Sequence, residues 1–253
     1  MIDLINKIIK GKNYFVKEID SDIARDIVKK YHYSHKCVSN SKLHLGIYRF
    51  NNILVGALQF GPCMNGYKTS KKFHDSENYF ELNRMVMIDD EPRNAESQAL
   101  SLCFKWLKNF TNTDYLISFS DGKENNVGYI YQATNWIYIG YRLSSSFYDL
   151  DGDIIHSVTV WHRYKEKHKD RDIKTTNEIL CDTFDNVSII TSKQHIYLYP
   201  LNKKTKFKIR GKQYPKLETE IPIIKRKIIK ENCITLKKPL IKLLSTEYLE
   251  SCI

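Results

Sequence analysis

Several features that often settle the class of a protein are missing from this 253-residue chain. No apolar run approaches the roughly 18–20 residues that a membrane-spanning helix needs. The six cysteines are scattered without a C-x-x-C pair, so neither a zinc cluster nor a disulfide framework is expected. The first residues lack a signal-peptide pattern, and no repeat recurs at a period of about 20–50 residues. We therefore expect a soluble, cytoplasmic protein with no membrane partner.

Positive charge is unevenly spread along the chain. Residues 1–192 hold 25 Lys and Arg against 24 Asp and Glu, whereas residues 193–242 hold 15 against 3. A Lys-rich composition from an AT-rich genome would explain the number of lysines but not this segregation. The segregation favours a polyanionic partner, because each phosphate that a cation neutralises releases counterions. The cations predicted to contact DNA are Lys203, Lys204, Lys206, Lys208, Arg210 and Lys212.

Apolar periodicity predicts alternating strands and helices. The predicted strands cover residues 13–19, 43–50, 53–60, 79–88, 115–119, 136–143, 154–161 and 188–199. Three helices are predicted. The first follows Ser21, which is its N-cap, and the other two cover residues 96–110 and 127–134. Up to residue 143 the predicted order is β-α-β-β-β-α-β-α-β. This order predicts an α/β fold, with helices on the faces of a mixed β-sheet.

The same patterns predict three segments. Residues 1–165 form one α/β domain, and residues 166–192 form a charged connection. Residues 193–253 supply one or more strands that complete the domain, followed by a basic tail. The densely charged stretch that begins at His162 marks the first boundary.

Short segments in a fixed order carry the most specific signal. They are Tyr31-His32-Tyr33-Ser34, Glu81-Leu82-Asn83-Arg84-Met85, Pro92–Ser97 (PRNAES), Ser118-Phe119-Ser120-Asp121, Gly128–Trp136 (GYIYQATNW) and Tyr138-x-Gly140, with His195–Pro200 and Gln213–Lys216 later. Together they resemble the Mom-like DNA modification proteins, a phage family with a GNAT-like fold. Each segment alone is weak, whereas the ordered set is specific.

The resemblance implies both a fold and a reaction. The fold is GNAT-like, with a mixed, splayed β-sheet flanked by helices, and the basic C-terminal extension is an addition to it. The reaction transfers a small group of carbamoylmethyl type to the N6 amine of adenine in phage DNA, which protects that DNA from restriction. The substrate is either a duplex with a flipped adenine or a single strand, because a paired amine is not accessible.

Three implied site residues lie in the first half of the chain. Tyr33 would stack on the target base, unless it is a core aromatic residue. His32 would accept a proton, since the ordinary pKa of histidine is close to neutral, but a surface or core role fits equally well. Arg84 interrupts an apolar strand, and the resemblance implies that it binds the donor or a phosphate.

Three further implied residues follow. Asp121 ends a short apolar strand, where it is either the general base or a turn residue before Gly122. Ser97 is either a functional residue or a helix cap. Tyr131 is partly a core residue, and in GNAT proteins the matching position often serves as a general acid beside the leaving group.

The donor remains open. In GNAT enzymes a glycine-rich Q/R-x-x-G-x-G/A loop and the next helix N-terminus hold the donor pyrophosphate. Here the matching donor-binding residues are Arg93, Asn94, Ala95, Glu96 and Ser97. Because the glycines are missing, acyl-CoA and an aminoacyl donor both stay open. A glycyl amide is isomeric with a carbamoylmethyl group, so aminoacyl transfer followed by rearrangement is a conceivable route.

Two other functions are kept as alternatives. One is an ordinary GNAT N-acetyltransferase that acts on a protein or a small amine. The other is a non-catalytic phage protein that binds DNA or blocks a host defence through its basic tail. A metal site is not expected, although two sets of histidines have ligand-like spacing. They are His32, His35 and His44, and His156, His162 and His168.

Overall fold

A computed structural model of the chain describes residues 2–63, 71–121, 126–164, 175–217, 222–229, 234–235 and 240–243. The chain divides into two compact units that are not consecutive in sequence. Unit 1 consists of residues 1–119, 128–140 and 196–214. Unit 2 consists of residues 120–127, 141–195 and 215–253. Each unit therefore draws on more than one of the three predicted segments.

Unit 1 is built on a β-sheet whose first six strands lie side by side in chain order, all in antiparallel pairs. The seventh strand pairs with the sixth in parallel, so the sheet is mixed. The strands are β1 (Ile2–Asp3), β2 (Ile8–Lys10), β3 (Tyr14–Glu18), β4 (Leu43–Arg49), β5 (Leu54–Gly61), β6 (Tyr79–Met87) and β7 (Tyr115–Asp121).

Helix α1 (Ser21–Tyr31) packs on the sheet through Ala24, Ile27 and Val28, which recur at helical spacing and are buried. They form one apolar cluster with Ala57 of β5 and Val86 of β6. The predicted N-cap was one residue too late. Asp20 is the N-cap, and Ser21 is the first helical residue; neither side chain caps the helix.

Helix α2 (Ala95–Phe110) carries most of the main core of unit 1. Leu100, Cys103 and Leu107 are fully buried, and Trp106 is nearly so. The indole N–H of Trp106 donates to the carbonyl of Lys7 at 2.7 Å, which satisfies the only polar group of that side chain. The apolar face predicted for residues 96–110 is therefore confirmed.

The short helix α3 (Tyr129–Ala133) and strand β8 (Ile137–Leu150) complete the observed order β3-α1-β4-β5-β6-α2-β7-α3-β8. This is the order predicted from the sequence, and the mixed α/β class is confirmed. The strand β7 extends to Asp121 and β8 to Leu150, both beyond the predicted ends.

Unit 2 has its own apolar core, formed by Tyr148, Leu150, Val160, Leu180, Cys181, Val187 and Ile228. Its elements include the second part of β8 and the first part of β10. The others are β9 (Asp153–His156), α4 (Ser157–Tyr164), α5 (Thr176–Thr183), β10 (Val187–Pro200), β11 (Pro222–Ile229), β12 (Ile234–Thr235) and β13 (Leu240–Leu243).

One prediction about these residues was wrong. The strand predicted over 154–161 ends at His156, and helix α4 follows, because burial of Val160 in the core of unit 2 overrides the strand preference of a β-branched run. Helix α5 and the start of β10 lie within residues 166–192, which were predicted as a charged connection. Strand β11 lies within residues 193–253, for which one or more strands were predicted.

Candidate active site

The sheet of unit 1 opens between its parallel strands β6 and β7. Pairing runs from Tyr79 opposite Tyr115 to Glu81 opposite Ile117. Strand β6 then continues to Met87 and β7 to Asp121, with no further pair between the described residues of these two strands. The two strands therefore diverge after Glu81, and the splay that the sequence predicted lies at this point.

A β-bulge on the other side of β6 changes which way its side chains face. Gln59 of β5 lies opposite Arg84, whereas the next residue, Phe60, lies opposite Leu82. Asn83 is thus one extra residue in β6. Such a bulge turns the following side chain to the other face of the sheet. Leu82 accordingly joins the main core, while Arg84 reaches the segment that follows α1.

The guanidinium of Arg84 is held by two backbone carbonyls. Its Nε donates to the carbonyl of Lys36 at 3.0 Å, and one terminal nitrogen donates to the carbonyl of Asn83 at 2.7 Å. The side chain is half-buried. A planar, charged group in a fixed orientation suits an anionic or carbonyl partner.

His32 lies at the C-terminal end of α1 and is buried. Its Nδ1 accepts a hydrogen bond from the backbone N–H of Ser34 at 3.1 Å, so the neutral ring carries its proton on Nε2. Burial, followed by the charges of Arg84 and His35, lowers the pKa of His32 to about 4. These contacts favour a neutral hydrogen-bond donor over the proton acceptor predicted from the sequence.

Tyr131 points to the place where β6 and β7 part. Its hydroxyl lies 2.8 Å from the Oγ of Ser118, which is 3.1 Å from the carbonyl oxygen of Leu82. Gly128, in the left-handed region at φ 72°, starts helix α3. A Cβ there would come within 2.7 Å of the Tyr197 ring and 2.8 Å of the Tyr131 ring. Only glycine therefore allows this packing.

The phenol of Tyr131 stays protonated at neutral pH. Burial raises its pKa to about 12; a hydrogen bond from Ser118 opposes that shift, and nearby Tyr33 and Glu81 add to it. A protonated phenol can donate a hydrogen bond or a proton, although the raised pKa makes Tyr131 a weaker acid than an ordinary tyrosine.

Tyr33 is the exposed member of this group. Its side chain is 78% exposed, and its ring lies on that of His32, with 4.3 Å between ring centroids. Because Tyr33 and Arg84 both shift the pKa of Tyr131, and Arg84 shifts that of His32, the structure brings these four predicted residues together. An exposed ring at the edge of a polar group can stack on a base.

The predicted donor segment lies at the N-terminus of α2. Asn94 is the N-cap residue, but its side chain accepts from Gln98 instead of capping the helix. Ser97 is not a cap either, because its hydroxyl donates to the carbonyl of Asn94 at 2.9 Å. Ala95 is buried, while Arg93 and Glu96 are exposed. The first-turn N–H groups of a helix have no partner within the helix.

The prediction from sequence missed Glu91, which holds the loop before α2. Its side chain is 3% exposed. Tyr14 donates its hydroxyl to one carboxylate oxygen at 2.5 Å, and a guanidinium nitrogen of Arg49 lies 2.5 Å from the other. Burial and then this hydrogen bond raise the pKa of Tyr14 to about 12. An acid in a turn-rich DDEPRN stretch gives no sign of burial in the sequence.

Asp121 belongs to unit 2 and is the last residue of β7. Its carboxylate accepts a hydrogen bond from the Ser192 hydroxyl on β10 at 3.1 Å. It is therefore a strand residue with a fixed side chain and not the turn residue of the alternative interpretation. The partner Ser192 was also missed from the sequence.

Residues 203–212 of unit 1 form what we call the basic segment. Its predicted cations are all exposed, and between them Phe207 and Ile209 are half-buried against an apolar cluster. The backbone is held by bonds from Lys208 N–H to the Phe73 carbonyl at 2.8 Å and from Lys212 N–H to the Tyr138 carbonyl at 2.7 Å. Lys208 alone of the six has a described carboxylate partner, Asp75.

Two other features bear on the class of protein. In the part of the chain that the structure describes, no helix is both long and apolar enough to cross a membrane. The described His, Cys, Asp and Glu residues also form no group of three or more that could hold a metal ion. His168, from one of the two histidine sets, lies outside the described residues.

A sequence model of the Mom protein family matches residues 13–216. The chain belongs to the Mom protein family. The match contains every predicted catalytic, donor-binding and DNA-binding residue, and the resemblance inferred from the short segments is confirmed.

One curated relative is a protein of Escherichia phage Mu named methylcarbamoylase mom. It is 38% identical over 153 residues, which make up 59% of this chain. The match covers 63% of the length of that relative.

Solved structures with a similar fold are GNAT acetyltransferases. A GNAT-family acetyltransferase from Bacillus anthracis is 11% identical, with 77% of this chain and 98% of that chain covered and a TM-score of 0.40. The ribosomal-protein-S5-alanine acetyltransferase from Vibrio fischeri is 6% identical, with 78% and 97% covered and a TM-score of 0.44. Likenesses this weak carry no argument about function.

Proposed function

We propose that this chain is a transferase that places a small acyl-derived group of carbamoylmethyl type on the N6 amine of adenine in DNA. In a phage-infected cell this change would protect the phage DNA from restriction. Membership of the Mom protein family over residues 13–216 is the observation that carries the proposal. The buried polar group at the splay, formed by His32, Arg84 and Tyr131, supports it.

The adenine amine, which accepts the transferred group, is a poor nucleophile that the enzyme must first make accessible. The lone pair of the adenine amine is delocalised into the ring and, in a duplex, the amine is paired. The base must therefore leave the stack, at a cost of about a few kcal/mol, or come from a single strand. Tyr33 offers an exposed ring for stacking, and the Nε2–H of neutral His32 offers a donor to a ring nitrogen.

The transfer itself needs two proton movements. The amine nitrogen attacks the activated carbonyl carbon of an aminoacyl donor, a C–N bond forms, and the bond to the leaving group breaks, which gives a glycyl amide on N6. Rearrangement to the carbamoylmethyl isomer follows as a second step, in which N6 becomes bonded to the methylene carbon and the carbonyl carbon to the former glycyl nitrogen. The amine loses a proton to a base, for which Asp121 is our candidate. The leaving group gains a proton, for which Tyr131 is our candidate donor, because its hydroxyl lies where β6 and β7 part. Arg84 offers its guanidinium to the developing negative charge.

The donor is expected at the N-terminus of α2. The positive end of a helix suits a phosphate or a polarised carbonyl, although the N–H of Ala95 in α2 already donates to the carbonyl of Pro92 at 2.8 Å. Glu91, tied to Tyr14 and Arg49, gives this loop a defined shape without the glycines of the usual GNAT loop. This supports either an acyl-CoA bound in an unusual way or an aminoacyl donor.

The basic segment is the proposed DNA-binding surface. Phe207 and Ile209 pack against an apolar cluster and fix the backbone of the segment. The cations that alternate with them are exposed, so the positive charge lies at the surface. Such a surface binds the DNA backbone without reading its sequence. A non-catalytic DNA-binding protein would need only this feature. DNA binding is therefore expected under both functions, and only the detection of a modified nucleoside distinguishes the transferase from the non-catalytic alternative.

Mass spectrometry of nucleosides from DNA of cells that express the chain tests the proposal. We expect a modified deoxyadenosine that is absent when Asp121→Asn is expressed at the same level. Carbamoylmethyl, methylcarbamoyl and glycyl groups are isomers, so fragmentation against synthetic standards must assign the group. If DNA stays unmodified while the purified chain still binds it, the non-catalytic alternative is correct.

A further inference from the structure

Two polar contacts between strands of unit 2 are not used by the site described above. Strands β8 and β10 lie side by side. The Nε of Arg142 donates to the side-chain oxygen of Gln194 at 2.7 Å, and the hydroxyls of Ser145 and Thr191 lie 2.6 Å apart. Residue numbers increase along β8 from Arg142 to Ser145 while those of their partners on β10 decrease from Gln194 to Thr191, as in an antiparallel pair.

The contact between Arg142 and Gln194 lies two residues along β10 from the contact between Asp121 and Ser192. Gln194 and Ser192 are two residues apart on β10, so their side chains project from the same face, with about 7 Å between their Cα atoms. Gln194 holds Arg142, and Ser192 holds Asp121. Lys193, between them, projects from the opposite face, where its Nζ lies 5.2 Å from the centroid of the Tyr141 ring.

The chemistry of Arg142 suits a phosphate. Its side chain is exposed, and the bond from Nε to Gln194 fixes the plane of the guanidinium. A planar fork matches phosphate oxygens better than a point charge does.

We propose that Arg142 binds a backbone phosphate of the DNA strand that carries the target adenine. Gln194 is then a positioning residue for Arg142, and Ser192 is a positioning residue for Asp121. The inference rests on the proposed function, because it takes Asp121 as the group that acts on the nucleotide. A phosphate contact beside that carboxylate would place the strand and not the donor.

Fluorescence anisotropy of a labelled duplex over a salt series tests this inference on the full chain. Arg142→Gln should weaken binding roughly 10-fold at low salt, to the same extent for different sequences, and lower the slope of log K against log salt by about 0.9. Gln194→Leu should have a smaller effect, and the double variant should bind no worse than Arg142→Gln alone, because both act on one contact. Lys193→Gln is the matched control and should bind like the wild type.

Three outcomes would overturn the inference. The first is an unchanged salt slope in a folded Arg142→Gln protein. The second is an equal loss of DNA affinity in Lys193→Gln. That result would mean that positive charge in this region determines binding, whichever face of β10 carries it. The third is an increase in the KM for the group donor with unchanged DNA binding, which would assign the phosphate to the donor.

Turnover of the wild type and of Asp121→Asn, measured in parallel, separates this inference from the proposed function. If no DNA is modified but Arg142→Gln lowers the slope, the phosphate contact stands and the transferase proposal fails. If modification depends on Asp121 but Arg142→Gln leaves the slope unchanged, only the inference about Arg142 fails.

Discussion

The polar residues at the splay and the cations of the basic segment belong to the same unit but have opposite surroundings. His32 is buried, Arg84 and Tyr131 are half-buried, and each has a fixed hydrogen-bond partner. The cations of the basic segment are exposed. The difference follows from the physics of each task. Proton transfer and carbonyl polarisation need groups that burial has shifted and oriented, whereas phosphate binding needs charge that solvent and counterions can reach.

This contrast predicts separation of the two functions. Variants at the splay should lower turnover and leave the affinity for DNA nearly unchanged. Variants in the basic segment should lower the affinity and leave the maximal rate at saturating DNA nearly unchanged.

The largest effect is expected for Asp121→Asn. The substitution keeps the shape and the bond from Ser192 but removes the base, so kcat should fall by roughly 10²–10⁴-fold. The melting temperature and the DNA affinity should change little. Asp151→Asn, in the exposed turn after β8, is the matched control and should behave like the wild type. Near-normal turnover by Asp121→Asn would show that Asp121 is not the base.

The next largest effect is expected for Arg84→Lys. A lysine cannot donate to the Lys36 and Asn83 carbonyls and present a planar fork at the same time, so we expect kcat/KM to fall by up to roughly 100-fold. The same change at Arg25, which pairs with Asp22 on the surface of α1, should have no measurable effect. Full activity of Arg84→Lys would mean that the reaction needs only the positive charge of Arg84 and not its planar guanidinium.

A smaller effect, on binding alone, is expected in the basic segment. Changing Lys203, Lys204 and Lys206 together to Glu should reduce the salt slope of DNA binding by roughly 0.9 for each phosphate that the protein no longer neutralises. Reversing Lys7, Lys10 and Lys12 makes the same charge change on exposed residues of the same unit. If both triple variants flatten the slope equally, net charge and not the basic segment determines binding.

Lys208 refines this prediction. Its ammonium already pairs with the carboxylate of Asp75, so its reversal should affect the salt slope less than reversal of Lys206. An equal effect of the two single variants, measured in the same salt series, would mean that DNA displaces Asp75.

The smallest effect is expected in the pH dependence of stability. The pKa of His32 is about 4 in the folded protein, against about 6.5 in an unfolded chain. Between these pH values the unfolded chain binds more protons, so the free energy of unfolding should decrease as the pH falls from about 6.5 to about 4. His32 should account for a decrease on the order of 3 kcal/mol.

His32→Asn should remove that part of the decrease in urea unfolding curves. His44, whose pKa burial also lowers, acts in the same direction and is present in both proteins, so the difference between them isolates His32. Identical pH dependence in the two proteins would contradict the burial of His32.

The order of elements could be predicted because it depends on local patterns. Apolar spacing of 3.6 residues marked α1 and α2. The strands predicted over 43–50 and 53–60 meet at an Asn51-Asn52 turn, where Asn52 has φ 64°. Helix α5 was missed although its signal is in the chain. Thr175 and Glu178 form a capping box, a pattern that local sequence reveals.

The family and the charge distribution were also readable from the chain alone. Both depend on residue identity and order, which do not change when the chain folds. The exposure of the six predicted cations agrees with the simple expectation that unpaired lysines avoid the core.

Tertiary structure alone decided the electrostatic properties of the site. The bulge at Asn83 turns Arg84 away from the main core, and the end of pairing at Glu81 opens the gap to which Tyr131 points. Burial of Glu91 and the low pKa of His32 come from residues that are distant in sequence. A pKa depends on desolvation and on charges a few ångströms away, and neither quantity exists before distant strands and helices have been brought together.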